Sequence, residues 1–291
     1  MTDTATYRTL DVPGATLAYD VRGPLPTADG RPPLVMIGQP MDASGFGTLA
    51  SHFADRTVVT YDPRGLGRST RDDGRTDHDP AVQAQDLHAL VASLDAGPVD
   101  VFGSSGGAVT GLAWVTAFPQ DVRTLVAHEP PLLAVLPDAE NARAASARGD
   151  AAYQERGWGH GMAAFIALTS WQGPFPADFL VELPDPAQFG LPTEDDGSRD
   201  DPLMSGSSAP VEGYVPDVAT LRSSPTTVVL AAGIESDGTI TWRTTHALAD
   251  LLGTQVAVFP SNHGGFLGDE FGMPGQPEAF AARLREVLPE A

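Results

Sequence analysis

Residues 99–109 read Val-Asp-Val-Phe-Gly-Ser-Ser-Gly-Gly-Ala-Val. The opening run, Val99–Gly103, follows Gly97-Pro98 and has the apolar, β-rich character of a short strand. The stretch from Gly106 to Phe118 reads as a helix that stops at Pro119. Between them, Gly103-Ser104-Ser105-Gly106-Gly107 has the spacing G-x-S-x-G. A chain that passes from strand to helix within five residues turns sharply. Glycines on either side allow the close approach, and the middle residue, Ser105, is lifted to the end of the strand. The helix N-terminus also favours negative charge developing beside Ser105.

Outward from this turn, short apolar runs alternate with longer helical stretches. Tyr7–Val12 and Ala15–Val21 read as two strands joined at Pro13-Gly14. Pro33–Gly38, Thr57–Asp62, Val122–Glu129, Thr226–Ala232 and Gln255–Phe259 are further strands. Pro33–Gly38 is apolar throughout, as in a strand covered on both faces. Pro80–Leu94 carries apolar residues at helical spacing, and Ala247–Leu252 and Pro277–Leu288 lie in helices. This alternation predicts an α/β fold, with a mostly parallel sheet flanked by helices. The pattern breaks after Pro130. Residues 131–224 are rich in proline, carry Trp158, Phe165, Trp171, Phe175 and Phe179, and contain the acidic loop Glu194–Asp201. They read as an insertion of short helices, a cap over the ligand-binding edge of a core formed by residues 1–130 and 225–291. The cap aromatics are expected chiefly to pack a small core of their own.

Composition narrows the function classes. The 291 residues carry a formal charge of −21 and no cysteine. Disulfides, thiolate metal sites, iron–sulfur clusters and a cysteine nucleophile are thereby excluded. The charge argues against nucleic acid, where affinity comes from Lys and Arg, and against anionic membranes. Met1-Thr2-Asp3-Thr4 opens a polar segment without the pattern of a leader, and no run approaches a membrane span. The expectation is a cytoplasmic protein, monomer or homodimer, with a small-molecule partner. No G-x-G-x-x-G, phosphate-binding loop or H-E-x-x-H is present, so no cofactor or metal is expected. Asp72-Asp73 and Asp195-Asp196 lack calcium-loop spacing.

With these residues in place, the chain resembles the α/β-hydrolase superfamily. Asp62-Pro63-Arg64-Gly65-Leu66-Gly67-Arg68-Ser69 is similar to the D-x-R-G-x-G-x-S turn of many members. Asn262-His263-Gly264-Gly265-Phe266, just after a strand and near the C-terminus, is similar to the loop that bears the catalytic histidine. The resemblance implies a serine nucleophile, Ser105, served by His263. A serine hydroxyl needs a base within hydrogen-bond reach, and histidine suits neutral pH. Of the seven histidines (52, 78, 88, 128, 160, 246 and 263), only His263 combines a loop after a strand, flanking glycines and a late position.

The acid is less settled by the resemblance. In many members it follows the seventh strand, three residues past a glycine. Here that residue is Ser236, with Glu235 and Asp237 on either side. Haloalkane dehalogenases and zearalenone-type lactonases instead place it at the end of the sixth strand, about two dozen residues after the nucleophile. Glu129 stands 24 residues after Ser105, followed by Pro130-Pro131. It is the preferred candidate, with Asp237 and Glu235 as alternatives. The oxyanion hole implied by the family uses the backbone N–H of Gly106 and of a residue in the loop Ile37-Gly38-Gln39-Pro40, here Gln39. Ile37 stands where family members often carry a histidine that orients this loop.

The expectation is therefore a serine hydrolase acting on an ester, lactone or thioester of a small molecule. The same residues also suit C–C bond hydrolysis or perhydrolysis. A non-catalytic, ligand-binding member of the fold is the rival from another class.

Overall fold

The computed structural model describes residues 5–272 and 275–289. The opening Met1-Thr2-Asp3-Thr4 thus lies outside the described residues. Nine strands are present among the described residues: β1 (Thr6–Val12), β2 (Ala15–Arg22), β3 (Leu34–Ile37), β4 (Val58–Tyr61), β5 (Thr70–Arg71), β6 (Val99–Ser104), β7 (Val122–His128), β8 (Thr227–Gly233) and β9 (Ala257–Phe259). The sheet order is β1-β2-β4-β3-β6-β7-β8-β9, with β5 paired to β2. β1 and β2 form a hairpin whose last pair is Val12 with Ala15, so Pro13-Gly14 is a two-residue turn. Gly14 takes φ +76°, which favours glycine. β2 also runs antiparallel to β4; from β4 to β9 every neighbour is parallel.

Nine α-helices accompany these strands among the described residues: α1 (Gly47–Ser51), α2 (Pro80–Leu94), α3 (Gly106–Ala117), α4 (Ala139–Arg156), α5 (Trp158–Ser170), α6 (Ala209–Glu212), α7 (Val218–Ser223), α8 (Ile240–Leu252) and α9 (Pro277–Val287). Two apolar layers cover the sheet. Leu87, Leu90 and Leu94 of α2, Val109, Leu112 and Trp114 of α3, Leu221 of α7 and Leu248 of α8 share one cluster. Leu49 of α1 with Phe280 and Leu284 of α9 belong to the other, which also holds Phe46, Phe102 and Phe266. β3, β4 and β6 are buried at every residue, because helices cover both their faces.

Strand order reverses around β3. The chain passes from β3 to β4 on one side, then crosses back to β6 and continues to β9 on the other. In open α/β sheets the crevice beyond the carboxyl ends of the strands at such a reversal binds ligands. Gln39 follows β3 and Ser105 follows β6, so both lie at this point.

Several boundaries depart from the sequence expectations. α8 begins at Ile240, seven residues before the helix read from sequence, because Thr241, Thr244 and Thr245 weaken the propensity signal. Packing holds these residues in the helix: Thr244 and Thr245 are fully buried. The insertion between β7 and β8 does not consist only of short helices; α4 runs 18 residues and α5 runs 13. Phe175 belongs to a small apolar cluster with Leu133, Leu136, Ala142, Leu168 and Ile240. Trp171, in contrast, is partly exposed and packs against Phe179 at 5.0 Å.

Candidate active site

Three strand ends build the site. Ser105 follows β6 with φ 56° and ψ −126°, a strained conformation for a residue with a side chain. Close packing enforces the turn. A Cβ on Gly107 would fall 2.2 Å from the Ile37 carbonyl oxygen, and one on Gly103 would fall 2.8 Å from that of Gly107. Neither position has room for a side chain. The Ser105 N–H donates to the His128 carbonyl at 2.9 Å, tying the turn to the end of β7.

The residue that follows β7 is Glu129. Its carboxylate is fully buried, and it too has positive φ, at 50°. Its N–H donates to the Ala231 carbonyl of β8 at 2.9 Å. The Gly233 N–H donates to Oε1 at 2.9 Å, and the Thr241 hydroxyl donates to Oε2 at 2.8 Å. His263 Nδ1 meets the same Oε2 at 2.6 Å. Burial alone raises the pKa of Glu129. The hydrogen bond from His263, together with the fields of His263 and His128, outweighs it and holds the carboxyl well below the usual carboxylate range. An ionised Glu129 accepts only, so Nδ1 carries the proton and Nε2 of a neutral His263 is left as the acceptor.

The loop after β9 presents His263. Phe266 is 3% exposed and stacks on Phe46 at 5.5 Å, which anchors the loop in the core. Ser261 takes φ 67° and its carbonyl receives the Glu235 N–H. The His263 side chain itself is 44% exposed. The Ser105 hydroxyl has no hydrogen-bond partner among the described residues. Such bonds commonly tighten only with substrate bound.

Gly106 is the first residue of α3, so its N–H has no acceptor within the helix. Gln39 packs directly against it. A Cβ on Gly106 would lie 2.7 Å from the Gln39 carbonyl oxygen and 2.9 Å from its Cβ. The two residues expected to share the oxyanion are thus neighbours. The turn after β4 braces the same region. Asp62 accepts from the N–H groups of Ala43 at 3.0 Å and Arg68 at 2.8 Å, while Arg64 forms a buried two-bond pair with Asp86.

The alternative acids lie elsewhere. Glu235 accepts from Ser261 at 3.4 Å and from Gln276 at 3.3 Å. Asp237 is exposed. Neither bonds to His263. The sequence reading missed Thr241 and the Gly233 N–H. No local motif marks a threonine in the first turn of a helix as a partner for a carboxylate 112 residues away. The sequence reading counts His128 among the seven histidines but gives it no role. It is fully buried among Phe102, Phe259, Phe266 and Phe280, and burial lowers its pKa to about 4. No group of three or more His, Asp or Glu residues placed to hold a metal ion occurs among the described residues. None of the described helices is long and apolar enough to cross a membrane.

Comparison with known proteins agrees with this architecture. Residues 34–283 match the model of the alpha/beta hydrolase family. The uncharacterized hydrolase YraK of Bacillus subtilis (strain 168) is 31% identical over 270 residues, covering 89% of each chain. An alpha/beta hydrolase from Sphaerobacter thermophilus DSM 20745 superposes with a TM-score of 0.62 at 22% identity, over 96% of this chain and 99% of that one. The enol-lactonase of Burkholderia xenovorans LB400 superposes with a TM-score of 0.64 at 16% identity, over 96% and 98%. The chain belongs to the alpha/beta hydrolase family.

Proposed function

We propose that the protein is a serine hydrolase that cleaves a carboxylic ester, lactone or thioester of a small molecule through an acyl-enzyme on Ser105. The observation that carries this reading is the Glu129–His263 hydrogen bond at the carboxyl edge of the sheet, one residue from the His128 carbonyl that holds Ser105. In this reading His263 Nε2 takes the Ser105 proton as Oγ attacks the scissile carbonyl. Glu129 holds the imidazole in the required tautomer and stabilises the imidazolium. The N–H groups of Gly106 and Gln39 receive the developing oxyanion. His263 then passes its proton to the leaving alcohol or thiol. It next activates water to release the acid and regenerate Ser105.

The segment from residue 131 to 224 acts as a cap that shapes the pocket, and residues 1–130 and 225–291 form the catalytic core. The enol-lactonase likeness in fold is compatible with an ester-type bond. The reading is tested by turnover of short p-nitrophenyl esters, γ- and δ-lactones and acyl thioesters by wild type and Ser105→Ala. Hydrolysis of at least one class by wild type and its loss in Ser105→Ala is the expected result. Turnover retained in the variant overturns the assignment.

A further inference from the structure

Gln39 is tied to the rest of the molecule by its side chain. Gln83 Nε2, on α2, donates to Gln39 Oε1 at 3.1 Å. The Thr110 hydroxyl, on α3, donates to Gln83 Oε1 at 3.0 Å. Thr110 lies one helical turn beyond Gly106. All three side chains are buried: Thr110 is 1% exposed, Gln83 0% and Gln39 3%. They cross an otherwise apolar layer that includes Ala84, Leu87, Ala108 and Val109. Polar groups in such a place are as a rule bonded to one another.

The donors run in one direction. The hydroxyl proton of Thr110 occupies Gln83 Oε1, which leaves Gln83 Nε2 to donate to Gln39. The series ends on Gln39 Nε2, which is buried and has no partner among the described residues. Aligned bonds of this kind polarise one another and stiffen the chain they form.

The rest of the loop offers few polar restraints. Ile37 contributes an apolar side chain, fully buried. The next polar anchor is the Ala43 N–H on Asp62. Between them the Gln39 side chain is the tether, and its Cβ and Cγ lie against Gly106.

We propose that the Thr110–Gln83–Gln39 relay sets the geometry of the oxyanion hole, with Gln83 and Thr110 as positioning residues. The inference rests on the serine-hydrolase reading above. The relay starts on the helix that supplies one N–H, that of Gly106. It ends on the residue that supplies the other. It therefore fixes the separation of the two donors, which must both reach about 2.7–3.1 Å from the developing oxyanion. Displacement of such a group by about 1 Å costs on the order of 100-fold in rate.

The test compares Gln83→Leu, Thr110→Val and Thr110→Ser in the full chain. The readouts are kcat and KM on a p-nitrophenyl ester, the inhibition constant of a trifluoromethyl ketone that adds to Ser105, and Tm. Gln83→Leu is expected to lower kcat by about 10- to 100-fold with little change in KM. Affinity for the ketone falls in step, because its adduct carries the oxyanion. Thr110→Val shows a smaller effect of the same kind, and Thr110→Ser, which keeps the donor, recovers most of the rate. A purely architectural relay lowers Tm while kcat per folded molecule and ketone affinity stay at wild type. That outcome in Gln83→Leu overturns the proposal. If Gln83→Leu does not fold, the Thr110 pair decides: Ser no better than Val overturns it. Wild type is also labelled with a fluorophosphonate. Labelling of Ser105 with an unaffected Gln83→Leu removes only the relay. No labelling and no turnover in wild type removes the hydrolase reading and the relay with it.

Discussion

The carboxyl ends of β6, β7 and β8 differ in kind from the segment that links β7 to β8. At the strand ends, backbone geometry dictates where each side chain goes. Ser105 and Glu129 both take positive φ, and each donates its N–H to a carbonyl of the neighbouring strand. The Glu129 carboxylate is bonded to Gly233, Thr241 and His263 and has no exposure. The linking segment is held by ties dispersed along its length, among them Arg148 to the Phe179 and Ala177 carbonyls and Trp158 to Asp201. Arg243 of α8 pairs with Asp138 and donates to the Gly173 carbonyl, and Asn141 donates to the Phe175 carbonyl. α4 buries only Ala142, Ala145, Ala152 and Tyr153 of its length. The contrast implies a division of labour. On the proposed reading, the strand ends hold the reacting groups, while the linking segment shapes what enters.

The largest effect belongs to the strand ends. Ser105→Ala is expected to lower kcat/KM by at least about 10⁴-fold with the fold unchanged, checked by ester turnover beside circular dichroism. Glu129→Gln follows, with a loss of about 10²- to 10⁴-fold. Asp237→Asn leaves kcat/KM near wild type, since that side chain is exposed and distant in bonding from His263. The reverse ranking would erase the special standing of the β7 end.

Substitutions in the linking segment are expected to act on KM instead. Trp171→Ala removes a ring that rests on Phe179. It should shift KM several-fold for bulky acyl or alcohol groups, at little cost to kcat on the smallest ester. A kcat collapse on every substrate would merge the two regions into one.

The smallest effect concerns pH. Burial lowers the pKa of His128 and of His78 to about 4, from 6.5. Unfolded chains bind protons at these imidazoles before the folded protein does. Their stability contribution is therefore present above about pH 6.5 and lost as pH falls toward 4. Calorimetry at pH 7 and 4.5 should show a lower Tm in acid. His78→Gln should flatten part of that slope. An unchanged slope would count against a neutral, buried His78.

The same contrast explains what the sequence made legible. Strands covered on both faces, such as Leu34–Ile37 and Val58–Tyr61, appear as uninterrupted apolar runs. The turn at Gly103–Gly107 announces itself because close backbone packing tolerates only glycine there. The expectation that Glu129 pairs with His263 comes from the resemblance to family members that place the acid at the end of the sixth strand, with Asp237 and Glu235 left open as alternatives. By contrast, α4 is rich in alanine and arginine with a weak apolar face, and its length could not be read from periodicity. Thr241, Gln83 and Thr110 were invisible for another reason. Their partners are set by tertiary packing, and polar residues within helices ordinarily face solvent.

The central claim is an activated Ser105 served by His263 and Glu129. It is tested most directly by peptide mass spectrometry of wild type, Glu129→Gln and Asp237→Asn after timed exposure to a fluorophosphonate. The account predicts one adduct, on the peptide bearing Ser105, formed at similar rates in wild type and Asp237→Asn and at least about 100-fold more slowly in Glu129→Gln. An adduct on another residue, or none, would contradict it, as would equal labelling rates in all three proteins.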